Sequence, residues 1–386
     1  MGKNRVVILR LIVVFVFLSL GKTSFGQNGQ ATTLTIDSKI IGEKRNIIVR
    51  VPADYERGSE MYPVVYMLDG RAPLINLMTG TIEHLVWSDL VPEMILVMIS
   101  NTDRGRDMTP TRVASQPGSG GADNFQRFLE TELIPLIEKS YRVQPYKILA
   151  GHSLSGLFVT YSFVSRPGVF NAYLAASPFL QWDNGFVLKK GAELLKSRQE
   201  LKSTLFFALG NEPQFLNGFS EFRDLLDRLH LKGLDHEFVQ LQEENHWSTI
   251  STVFHKGLRK VWSDLKRWEL PSNPGFSLLD LENHYKALHQ KYGYATAIPE
   301  RQLNALGYRH LESGKIAEAV AAFEMNMRLY PASVNVYDSY ADALEKKGQF
   351  REAKTNLEIA LKLAEAANNT QRATVIKERI AKLTLK

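Results

Sequence analysis

Residues 148–158 read "ILAGHSLSGLF", one serine held among small residues where an apolar run stops and another begins. A serine in such a strand-to-helix turn projects above the strand ends and can act as a nucleophile. The G-x-S-x-G pattern is met by Gly151, His152, Ser153 and Leu154. Its fifth position is Ser155, and the glycine comes one later, at Gly156. Serine is small enough to pack there. By itself the motif reads equally as a plain turn joining a strand to a helix.

A serine hydroxyl needs a base, and the base needs an acid to orient it. In a sheet-based hydrolase they follow in the order serine, acid, histidine, each beyond a strand end. Among nine histidines, His246 in "QEENHWS" comes just after the β-rich "HEFVQLQ" and takes the base position. His236 lies at the start of that strand. His152 adjoins Ser153 but is expected off another side of the turn. His230, His255, His284, His289 and His310 fall on expected helices, and His84 precedes the serine. Glu212 follows "TLFFALG" directly and is the expected acid, with Glu243, Glu244 and Asp183 as rivals. The oxyanion hole needs two backbone N–H donors. Leu154, after the nucleophile, supplies one, and Arg71 in "LDGRAP" the other.

The elements that must hold these groups are legible in hydrophobic pattern. Residues 33–51 alternate as two strands with a turn near Gly42. "PVVYMLDG" (63–70) and "MILVMIS" (94–100) are short apolar runs of the buried-strand kind. "YKILAG" (146–151), "AYLAASP" (172–178), "TLFFALG" (204–210) and "HEFVQLQ" (236–242) are further strands. Helical spacing marks residues 125–141, 156–167, 219–233 and 252–268, the second stopping near Pro167. Alternating strands and helices predict an α/β fold with a mostly parallel sheet.

After "ELPSNPGFS" (269–277) no β-rich run follows. Two segments there, from Leu303 and Tyr337, repeat at a period of 34, pairing Gly307 with Ala341, Gly314 with Gly348, Ala319 with Ala353 and Phe323 with Leu357. The tail resembles the tetratricopeptide repeat in period and in its small residues. Helices at 277–291 and 372–385 would complete three helix pairs. The expected organisation is a signal peptide at 1–26, an α/β-hydrolase esterase domain at 27–268, a linker and connecting helix at 269–296, and a small all-α repeat domain at 297–386.

Residues from about 33 to 267 resemble the α/β-hydrolase branch that holds esterase D, the enterochelin-type siderophore esterases, some feruloyl and acetyl esterases and the mycolyl transferases. "YPVVYMLDG" resembles its oxyanion strand, "GHSLSG" its elbow and "NHWS" its histidine loop. "NTDRGRDMTP" (101–110) resembles a loop of siderophore-esterase-like members. The resemblance implies Ser153 as nucleophile and His246 as base, with an acid whose position varies in the family. Arg104 and Arg106, with Arg71 nearby, offer forked donors for a carboxylate, phenolate or ferric catecholate. The competing role for Arg106 is an ion pair with Asp107 or Asp103 that shapes the loop. Trp247, beside His246, joins them as a substrate-contact candidate.

The function expected is a secreted or periplasmic serine carboxylic-ester hydrolase working through an acyl-enzyme on a small-molecule or glycan ester. An acyltransferase would use the same groups with an alcohol in place of water. A third reading is an inactive interaction protein using the tail, through which a partner or a second copy could bind. With no cysteine in 386 residues, thiol nucleophiles, disulfides and thiolate metal sites are excluded. No metal or cofactor is expected. The formal charge is +6, but Lys3, Arg5, Arg10 and Lys22 supply four of those charges. The remainder gives no argument for nucleic acid. The apolar run 11–20 is short for a membrane span, and no span is expected after cleavage.

Overall fold

Alternation of apolar and polar residues sets the first two strands. β1 (Ala31–Ser38) and β2 (Glu43–Arg50) pair antiparallel, Ala31 opposite Arg50. Gly42, at φ 77°, closes the turn between them and donates its N–H to Ser38 O at 3.0 Å. The structure, a computed structural model, describes residues 31–265 and 270–383. The expected signal peptide, and the junction expected at 268–269, lie outside these residues.

The continuous apolar runs become β3 (Tyr62–Met67) and β4 (Ile95–Ile99), buried along their whole length. β5 (Val143–His152), β6 (Ala172–Ala176), β7 (Glu200–Leu209) and β8 (Lys232–Gln240) complete one eight-stranded sheet in the order β1-β2-β4-β3-β5-β6-β7-β8. β2 meets β4 antiparallel, and every pairing from β4 through β3 to β8 is parallel. The chain leaves β3 for β4 on one side and returns to β5 on the other. Beside β3 the strand order therefore reverses, and in open parallel sheets ligands bind beyond the strand ends at such a point.

Helices α1 (Ala72–Trp87), α2 (Arg104–Met108), α3 (Ala122–Phe128), α4 (Ile134–Ser140), α5 (Leu154–Ser165), α6 (Trp182–Leu195) and α7 (Pro213–Leu229) link the strands, and α8 (Thr249–Val261) follows β8. The single helix expected over 125–141 is α3 and α4 joined by a wide π turn at Leu129–Leu133. Pro135 has no N–H to return to the preceding turn, which accounts for the widening there. The sequence reading passes over α1 and α6. In α6 the left-handed residues Asp183, Asn184 and Gly185 break the helical period.

The chain forms two compact units. Among the described residues, one holds those from Ala31 to Thr79, Met94–Val143 and Lys147–Phe254; the other holds Gly80–Glu93, Gln144–Tyr146 and the described residues from His255 to Leu383. The core of the first packs sheet residues such as Tyr66, Leu149 and Phe207 against Phe125, Phe158 and Phe222 of the helices.

In the second unit, α9 (Leu278–Tyr292) starts at a capping box of Ser277 and Asp280. α10 (Glu300–Glu312), α11 (Ile316–Leu329), α12 (Val334–Lys347), α13 (Phe350–Ala366) and α14 (Thr370–Leu383) follow on short loops, each packed on the next. The expected 34-residue correspondences fall on equivalent places. Gly314 and Gly348 are both left-handed, at φ 74° and 83°. A Cβ on Gly307 would stand 2.5 Å from the Phe323 ring, and their counterparts Ala341 and Leu357 are fully buried. These helices are compatible with a helical repeat. Tyr308, Asp342 and Arg379 help line a cleft of about 1050 Å³ among α10, α12 and α14. Among the described residues no helix is long and apolar enough to cross a membrane.

Candidate active site

β5 ends at His152 and α5 begins at Leu154, so Ser153 is the whole turn between them, at φ 60° and ψ −117°. A non-glycine residue reaches that conformation only when its surroundings hold it there. Ser153 N–H donates to Ala176 O at 2.9 Å, and Ser153 O accepts from Leu157 N at 3.0 Å and Phe179 N at 3.2 Å. The small flanking residues are required by space. A Cβ on Gly151 would lie 2.6 Å from Ser155 O, and one on Gly156 would lie 3.0 Å from Pro178 Cα. Leu154, first in α5, offers one of the first-turn N–H groups a helix leaves unpaired. Arg71 is exposed and stands just before α1, beyond the end of β3.

Glu212 and His246 come from beyond the ends of β7 and β8, with β6 lying between these strands and β5. Glu212 follows β7 as the residue before α7 and is 3% exposed. Its Oε2 accepts from Ser177 Oγ and from Gly210 N–H at 3.1 Å, and its Oε1 stands 2.5 Å from His246 Nδ1. A carboxylate only accepts, so Nδ1 carries a hydrogen toward it, which leaves Nε2 as the ring nitrogen that Glu212 does not engage. The His246 loop is set by Asn245, whose Oδ1 accepts from Trp247 N at 2.9 Å and Ser248 N at 3.1 Å. It is Glu212, rather than Glu243, Glu244 or Asp183, that meets the imidazole; Glu244 instead accepts from Thr252 Oγ1.

His152 differs from expectation. Its ring turns toward the histidine loop, 4.6 Å from the His246 ring, and its Nε2 donates to His246 O at 2.5 Å. Burial, and next the neighbouring His246, push its pKa down to about 4, so it is neutral at physiological pH. Sequence position reveals the residue before Ser153 but not which way its ring turns. The same is true of Ser177, whose hydroxyl fixes Glu212 and which no motif marks.

The two loop arginines are committed to carboxylates. Arg104 bonds both oxygens of Asp69, Nε at 2.7 Å and one terminal nitrogen at 2.9 Å, and reaches His152 O at 3.1 Å. Arg106 bonds Asp107 at 2.8 Å and Glu43 at 2.7 Å. The fully buried Arg45 joins the same two acids, at 2.5 Å to Asp107 and 2.8 Å to Glu43. These bonds favour the loop-shaping role over substrate contact, and the Asp69 and Glu43 partners were not foreseen. Trp247 is 72% exposed, with its ring 5.3 Å from His246 and 5.9 Å from His152.

A mostly parallel sheet with a serine on a strained turn after one strand, and an acid and a histidine after later ones, defines an α/β-hydrolase. Residues 38–247 match the model of the family described as "Putative esterase", and the chain belongs to that family. It is 29% identical over 230 residues to the ferri-bacillibactin esterase BesA of Bacillus subtilis (strain 168), covering 51% of this chain and 78% of that protein. The solved IroE-like serine hydrolase from Shewanella oneidensis superposes with a TM-score of 0.67 at 25% identity, over 78% of this chain and all of that one. An uncharacterised protein from Capnocytophaga ochracea shares the fold over 92% of this chain and all of its own, with a TM-score of 0.67 and 14% identity. The chain is an esterase of the α/β serine-hydrolase kind.

Proposed function

We propose that Ser153, His246 and Glu212 act together as nucleophile, base and orienting acid in hydrolysis of a small-molecule ester through an acyl-enzyme. The observation that carries this is the bond between buried Glu212 and His246 Nδ1 at 2.5 Å, together with the strained φ of 60° at Ser153. Ser153 Oγ attacks the ester carbonyl carbon as its proton passes to His246 Nε2. The tetrahedral oxyanion takes the N–H groups of Leu154 and Arg71. Collapse breaks the bond to the alcohol, which leaves with the proton from Nε2. Water then repeats the sequence, freeing the acid and restoring Ser153. Loss of one oxyanion donor typically costs about 10²–10³ in kcat.

The substrate class in this reading is the siderophore ester, supported by the ferri-bacillibactin esterase likeness. Exposed Trp247 next to His246 provides a flat face for an aromatic group. Residues 1–26 act as a signal peptide that delivers the chain to the periplasm or outside the cell, and mature protein would begin at Gln27. Residues 27–268 make up the esterase domain, 269–296 the linker with its helix, and 297–386 a repeat domain for a partner or a second copy.

The test is labelling with a fluorophosphonate, read as a mass shift, alongside Ser153→Ala and His246→Ala. Labelling of wild type that is lost in both variants is expected, with turnover on a panel of catecholate siderophores and acetylated or feruloylated sugars. A well-folded wild type that neither labels nor turns over any aryl ester would defeat the reading. Transesterified product on adding sugar or alcohol acceptors would make the enzyme a transferase.

A further inference from the structure

Ser155, where the elbow pattern normally has glycine, is fully buried. Its hydroxyl makes bonds that no glycine could make. Oγ accepts the His152 N–H at 2.8 Å and lies 2.7 Å from Asp69 Oδ2 and 2.9 Å from His152 O. A hydroxyl has one hydrogen, and the carboxylate, the stronger and nearer acceptor, takes it. Asp69 stands beyond β3 at φ 58°. Arg104 bonds both Asp69 oxygens and also His152 O, so the ring closes. Both backbone polar groups of His152, the residue directly before Ser153, are thus held by one hub.

We propose that Ser155 and Asp69 are positioning residues, which lock the nucleophile turn to the end of β3 and so fix the Ser153 hydroxyl relative to the oxyanion donors. The role rests on the reading of Ser153 as nucleophile. The two halves of the reaction geometry come from different strands: Leu154 N–H and Ser153 Oγ follow β5, whereas Arg71 N–H follows β3 two residues after Asp69. Parallel pairing fixes these strands only as far as Met67 and Ala150. Beyond that point Leu68 N–H still reaches Ala150 O, and next comes the Ser155–Asp69–Arg104 ring. Burial acts to raise the Asp69 pKa, but the bonds from Arg104, Asn101 and Ser155 outweigh it and hold the carboxyl below its usual range. The hub is therefore charged at neutral pH, as the bonds require.

The experiment uses full-length Ser155→Ala, Ser155→Gly and Asp69→Asn and the Ser155→Ala/Asp69→Asn double variant. Readouts are 4-nitrophenyl acetate turnover, the rate of fluorophosphonate labelling per folded molecule, and circular dichroism. A misplaced nucleophile costs about 10- to 100-fold in kcat, so that loss is expected with KM within threefold of wild type and labelling slowed in step. Because the residues act through one bond, the double variant should lose little more than either single one. Ser155→Gly, which restores the common pattern, should not rescue. Folded variants with kcat and labelling within twofold of wild type would overturn the proposal while leaving the nucleophile assignment standing, as would multiplicative losses in the double variant. If Ser155→Ala does not fold, Asp69→Asn, which suits the left-handed backbone, decides by the same criterion. A wild type that does not label removes the nucleophile, and this role with it.

Discussion

Glu212 shows how much a single buried carboxylate must do. Both oxygens are occupied, one by His246 Nδ1 and the other by Ser177 Oγ and Gly210 N–H. Replacing it with glutamine keeps the size but puts an amide where three donors converge, so the imidazole loses its orienting acceptor. We expect Glu212→Gln to lower kcat by about 10²–10⁴, checked by steady-state kinetics on 4-nitrophenyl acetate. His152 acts differently, through packing and a bond to backbone. With its proton on Nε2 and its ring buried, it cannot take a second proton cheaply. That cost appears as a property of the whole chain.

At the scale of elements, the elbow is a matter of clearance. Gly151→Ala would press a methyl group to 2.6 Å from Ser155 O, which is backbone and cannot step aside. The expected result is a turn that shifts or a strand end that frays, with stability lower by about 1–3 kcal/mol and activity falling with it. Thermal melts and turnover on the same sample test this; an unchanged midpoint would refute the steric account. The second unit offers a matched case of its own. Gly307→Ala meets the Phe323 ring at 2.5 Å, whereas the position 34 residues on is already Ala341, which shares a buried cluster with the less bulky Leu357. The expectation is a lower melting midpoint for Gly307→Ala, with much of the loss recovered in Gly307→Ala/Phe323→Leu.

For the molecule as a whole, pH should act on stability through His152. Its folded pKa of about 4 lies below the ordinary 6.5. Between these values the unfolded chain binds a proton that the folded chain refuses, so stability falls as pH drops. The contribution is complete above pH 6.5 and is lost as pH falls toward 4, on the order of 3 kcal/mol in all. Asp69, also lowered, adds a further loss at still lower pH. Denaturant unfolding from pH 7.5 to 4.5 should show this slope, and His152→Gln should flatten it; equal slopes in the two proteins would count against the assignment. Much of the architecture was legible beforehand because it depends on local pattern. Apolar runs named the inner strands, the 34-residue period paired the tail helices, and chain order placed Ser153, Glu212 and His246 after the ends of β5, β7 and β8. The amino-acid sequence alone therefore determined the α/β class and the helical tail, and it singled out the three groups proposed for ester chemistry. Tertiary structure alone decided what Ser155, Asp69, Arg104, His152 and Ser177 touch, because their partners come from other strands and loops. A side chain's direction at a turn is set by the neighbours that fill the space around it, and no spacing along the chain encodes that.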